Sequence, residues 1–128
     1  MNRYEKLIAE YDEELDIEEH KMCCDGLYCD NVIWINNRLT NAEKLSVVAE
    51  ELGHYKTTVG DILDQSPISN IKQEQSARKL AYEKLISLED ILLAFKQNIV
   101  EVYDLAEHFE VTEEFMRECL KHYKLLDI

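Results

Sequence analysis

The chain has 128 residues, 46% apolar and 32% charged, which is ordinary globular composition with enough apolar material for one core. With 14 basic against 27 acidic side chains it carries a formal charge of −13, a field that repels a phosphate backbone and an anionic bilayer. No stretch approaches the roughly 20 apolar residues of a membrane span. The start, Met1-Asn2-Arg3-Tyr4-Glu5-Lys6, turns acidic at once and lacks the apolar stretch of an export signal. The expectation is a cytoplasmic protein with neither nucleic acid nor membrane as partner.

The first element is a predicted helix over residues 2–15, with Tyr4, Leu7, Ile8, Tyr11 and Leu15 as its apolar stripe. Residues 24–29 and 32–36 read as a hairpin. Asp30-Asn31 can adopt the left-handed angles of a tight turn, and β-branched and aromatic residues flank it. Two strands alone are marginal, so a third strand or a helix should cover them. Thr40-Asn41-Ala42-Glu43 is a capping box that opens a helix running to Lys56, with Leu45, Val48, Leu52 and Tyr55 as its apolar arc. Residues 57–70, with Gly60 and Pro67, read as a loop. Helices are predicted over 71–86, 87–96, 99–109 and 113–123, the last capped by Thr112. The four cysteines, Cys23, Cys24, Cys29 and Cys119, show no C-x-x-C spacing, and buried structural thiols are the preferred reading. The class is α+β, mostly helical, with a small N-terminal hairpin or sheet and a C-terminal helical extension. Residues 1–87 read as a core and 88–128 as helices closing one compact domain.

Ala49-Glu50-Glu51-Leu52-Gly53-His54-Tyr55 is the stretch that carries chemistry. On a helix, Glu50 and His54 share a face at i and i+4 and can point at one ion, away from the apolar arc. This is the spacing of the H-E-x-x-H zinc helix with glutamate in the first position, and its second position, Glu51, is that of the general base. A solvated acidic face with a surface histidine is the plainer reading of the same residues. Glu74 lies on one stripe with Ala77, Ala81 and Leu85, so it should face the interior. The two alanines would let this helix pack close enough to bring Glu74 within ligand range of the Glu50–His54 helix. A buried carboxylate needs an ion or a partner, and an ion pair with Lys72 or Arg78, or simple exposure of Glu74 in the first turn, would serve equally.

These residues, with Thr57-Thr58-Val59-Gly60-Asp61-Ile62, Lys72-Gln73-Glu74-Gln75-Ser76-Ala77-Arg78, Gly26-Leu27-Tyr28 and Val32-Ile33-Trp34-Ile35, resemble the ImmA/IrrE family of small metallopeptidases, in its short phage and mobile-element form. The resemblance covers the whole chain. It implies a zincin-like fold and a bound zinc, with manganese as the other candidate. It also implies His54 and Glu74 as ligands and Glu51 as general base. Glu50 stands where the family usually has its first histidine. A site of His54, Glu50 and Glu74 carries two ligand charges, which lower the Lewis acidity of the ion and raise the pKa of its water. Asp61 is an extra or substitute ligand, or else a turn or capping aspartate before Ile62. Tyr28, Tyr55 and Tyr82 are the candidate donors to an oxyanion. His20, His108 and His122 have no spacing that links them to this set.

Residues 102–115 have a helix–turn–helix cadence, but the second helix opens on Glu113-Glu114, with Arg117, Lys121 and Lys124 only later. A base reader needs the opposite order, so a packing unit or a docking surface for a protein partner is preferred. The resemblance implies an endopeptidase that cleaves a helix–turn–helix repressor. The glutamate at position 50 motivates the alternative, an anti-repressor that binds the repressor without cutting it.

Overall fold

The computed structural model describes residues 1–58 and 67–126. Helix α1 (Arg3–Glu10) opens on a reciprocal capping box between Asn2 and Glu5. It ends five residues before the expected point, because Asp12-Glu13-Glu14 would place three negative charges at the negative end of the helix. The chain turns there, and Leu15 still reaches the core at 4% exposure.

Strands β1 (Asp16–His20), β2 (Gly26–Cys29) and β3 (Val32–Asn36) form one sheet of order β1-β3-β2. The predicted hairpin is β2–β3, antiparallel with Tyr28 opposite Ile33, and its turn residues Asp30 and Asn31 have φ of 46° and 65°. The covering strand is β1, parallel to β3 with Ile17 opposite Ile33. Its sequence, Asp-Ile-Glu-Glu-His, gives no apolar alternation because it is a mostly exposed edge. Glu19 fixes it in place, accepting from the Tyr4 hydroxyl at 2.7 Å and the Lys44 ammonium at 2.9 Å.

The long helix α2 (Asn41–Thr58) packs on α1, β2, β3 and the next helix, α3 (Pro67–Leu85). The Thr40–Glu43 capping box forms as expected. Helix α3 starts four residues earlier than the sequence indicated, since Pro67 is a helix-opening proline and not a loop residue. Helices α4 (Leu88–Lys96), α5 (Val102–Phe109) and α6 (Glu113–His122) complete the chain. Ser87 and Thr112 cap the first and last of these. The α5 start shifts from the expected 99 to 102 because Asn98, at φ 65°, ends α4 in a left-handed turn.

Ile33, Ile35, Val48, Ile86, Ile91, Leu105 and Met116 are fully enclosed, and buried residues from Tyr4 to Leu120 join in one cluster. The Arg3 guanidinium closes it from the N-terminal side, donating to the carbonyls of Phe109, at 2.6 Å, and Leu85. Among the described residues no helix is long and apolar enough to cross a membrane.

The cysteines correct the sequence expectation. Cys23, Cys24 and Cys29 are exposed around β2, and only Cys119 is buried, its thiol pushed up to about 12 by that burial. Titration of the native protein with a thiol reagent is therefore expected to count three groups quickly, and the fourth only on unfolding. A native count of one or none would contradict this arrangement.

Candidate metal and catalytic site

The site lies where α2 crosses α3. Gly53 makes the crossing close: a Cβ there would lie 2.8 Å from the Ala77 carbonyl carbon and 2.9 Å from its Cα. Ala77 and Ala81, both at 0% exposure, form the matching small surface of α3. Helices pressed together at this point carry the next residue of α2, His54, to the edge of α3. There its Nε2 lies 3.2 Å from Glu74 Oε2. The second Glu74 oxygen, Oε1, is 3.5 Å from Nε of Arg78, one turn along α3. Thr57 donates to the carbonyls of Gly53 and His54, at 2.9 and 3.2 Å, and covers the end of α2.

Glu74 does not face the interior as expected, since its side chain is 43% exposed. With α3 beginning at Pro67, Ala77 takes the contact point and Glu74 falls at the rim. The expected ion pair with Arg78 and the expected approach to His54 are both present, one on each carboxylate oxygen.

Glu51 turns from α2 toward β2, where a Cβ on Gly26 would sit 3.6 Å from Glu51 Cγ. Burial and the neighbouring charges of Glu50 and Glu74 push its carboxyl up to about 7. Glu50 is raised as well, by burial first, while Arg78 draws it back down and Glu74, Glu114 and Asp25 add to the rise. It lines a cleft of about 470 Å³ between α2, α3 and α6, together with Arg78, Tyr82, Glu114 and Glu118. The sequence offered no sign of this cleft, because α6 reaches α2 only through tertiary packing.

Two of the predicted donors, His54 and Glu74, are thus brought together. Glu50 is beside them but directed into the cleft, and among the described residues no three histidine, cysteine, aspartate or glutamate groups converge as a ready set of ligands. Asp61 lies outside the described residues. An imidazole nitrogen and a carboxylate oxygen 3.2 Å apart suit two corners of a zinc or manganese polyhedron. The donor chemistry therefore fits a divalent ion at two positions, those of His54 and Glu74.

Of the candidate tyrosines, Tyr82 lines the cleft beside Glu50, its hydroxyl raised to about 12 chiefly by burial. Tyr55 turns its hydroxyl toward Glu14, at 3.5 Å, and packs its ring on Tyr28. The other histidines lie elsewhere: His20 on Trp34, His108 on Phe109 and His122 3.1 Å from Glu83.

A family model described as the IrrE N-terminal-like domain of the M78 peptidases matches residues 4–121. Neither the curated proteins nor the solved structures gave a significant match.

Proposed function

The chain belongs to the M78 peptidase family by its IrrE N-terminal-like domain, and on that premise we propose that it is a metal-dependent endopeptidase acting on a helix–turn–helix repressor. The observation that supports this reading most is the approach of His54 to Glu74 at 3.2 Å, one helical turn from a carboxyl held near 7. His54 and Glu74 would hold the ion, zinc or manganese, with Glu50 or Asp61 in the third position. Bound there, the ion supplies Lewis acidity.

The chain's own groups do the rest. Glu51, half-buried between α2 and β2, takes a proton from the attacking water and returns it to the leaving amine. A carboxyl titrating near 7 is matched to both transfers. Tyr82 offers its hydroxyl to the cleft, where a developing oxyanion would accept it. Strand β2 is the outer strand on this side of the sheet and lies against Glu51, so an extended substrate can pair along it.

A second reading rests on Glu50. Directed into the cleft beside Arg78, it leaves His54 and Glu74 as a pair, and such a scaffold could capture a repressor without cutting it. The two readings separate on incubating the protein and either ion with a helix–turn–helix repressor, with the products read by mass spectrometry. New termini that vanish in Glu51→Gln mark the peptidase. An intact repressor in a complex that Glu51→Gln forms equally well marks the binder and overturns cleavage.

A further inference from the structure

Among the described residues, Arg78 is the one basic side chain lining the cleft that holds Glu50, against five carboxylates there, and it also reaches Glu74. It therefore touches the carboxylate paired with His54 and shares a cleft with the carboxylate that stands apart from that pair. We propose that Arg78 is a built-in counter-ion of the site, balancing Glu50 and Glu74 in the metal-free chain, and that a divalent ion must displace it to recruit Glu50 as third ligand. The inference rests on the metal-site reading above and adds its regulation.

The ion and the guanidinium compete for the same carboxylates. Glu74 presents Oε2 to His54 and Oε1 to the guanidinium, so both of its oxygens are engaged before any ion arrives. Glu50 shares its cleft with the oppositely charged Arg78 side chain, whereas His54 and Glu74 meet outside that lining. A dication at His54 and Glu74 would reverse that balance, attracting Glu50 and repelling the guanidinium. At 55% exposure the Arg78 side chain can swing into water when released. The alternative role, in which the arginine orients Glu74 as a ligand, predicts the opposite response to its removal.

The test is calorimetric titration of zinc chloride into the metal-free protein and into Arg78→Gln, Arg78→Lys and His54→Ala. Arg78→Gln should bind zinc about fivefold more tightly than the parent, the scale of a half-exposed ion pair. Its melting temperature should be lower without metal and rise more on adding zinc. Arg78→Lys keeps the charge and should stay near the parent. Binding by Arg78→Gln where the parent shows none would support the proposal still more strongly. Equal or weaker binding by Arg78→Gln, with the parent's binding lost in His54→Ala, would overturn the counter-ion role and leave the metal site standing. No binding by the parent or Arg78→Gln would overturn both.

Discussion

Gly53→Ala is expected to destabilise the protein by about 3 kcal/mol, the upper range for forcing one methyl into a filled contact. For a chain of this size that lowers the melting temperature by roughly 10 °C. The direction is informative because glycine in a helix interior is ordinarily the weaker residue, alanine being better by about 1 kcal/mol. Here the added Cβ meets the Ala77 backbone, which cannot turn aside as a side chain could. The matched control is Gly26→Ala, whose Cβ would overlap Val47 Cγ1, the end of a side chain. It should cost less. Widening the α2–α3 crossing also separates His54 from Glu74, so Gly53→Ala should lose zinc binding even at temperatures where it remains folded. Thermal melts and zinc titrations of the two variants check this. A Gly53→Ala protein as stable as the parent would refute the close crossing.

Replacing Glu51 with Gln is expected to lower peptidase activity by at least about 100-fold, the usual contribution of a general base, with the fold intact. The same carboxyl sets a pH dependence. In the metal-free chain its pKa of about 7 stands above the ordinary carboxylate value of 4.5. The folded state therefore holds this proton more tightly than the unfolded state does. The stability it confers is fully present below pH 4.5 and is lost as the pH rises through 7. After allowance for solvent screening the loss is about 1–2 kcal/mol. Glu51→Gln cannot titrate, so melts between pH 5 and 8 should show the metal-free parent losing stability relative to the variant. Parallel curves would show that Glu51 is not held in this environment. In the loaded enzyme a nearby cation pulls the carboxyl down, so the acid limb of the rate profile should fall at or below pH 7.

Much of the frame was legible because local rules and tertiary packing agree in it. Asp30-Asn31 takes the left-handed angles its hairpin needs, and Thr40, Ser87 and Thr112 cap the helices they precede. Ala77 and Ala81 are buried where the small stripe placed them. Strand β1 was not legible, since an exposed parallel edge needs no apolar alternation. The exposed Cys23, Cys24 and Cys29 break a statistical preference for burial that no local pattern could overrule. At the site, the small residues Ala77 and Ala81 signalled the close packing that brings Glu74 to His54, although Glu74 sits at the rim and not in the interior. Helical spacing could not show that Glu50 enters a cleft closed by α6, because Glu114 and Glu118 are some sixty residues away in sequence.

That pairing also explains how one turn of α2 can serve both readings of the function. Gly53 sets the distance between α2 and α3, His54 and Glu74 meet across it, and Glu51 faces the sheet edge from the same turn. Whether Glu50 faces the ion or the arginine decides how complete the ligand set is.

Metal content is the decisive measurement: elemental analysis of the protein after incubation with zinc or manganese, beside His54→Ala and Glu74→Ala. The expected result is close to one ion per chain in the parent and loss of that ion in both variants, with all three proteins folded by circular dichroism. Variants that retain the ion, or a folded protein that takes up neither metal even with Arg78 replaced by Gln, would contradict the assignment of His54 and Glu74 as a metal-holding pair.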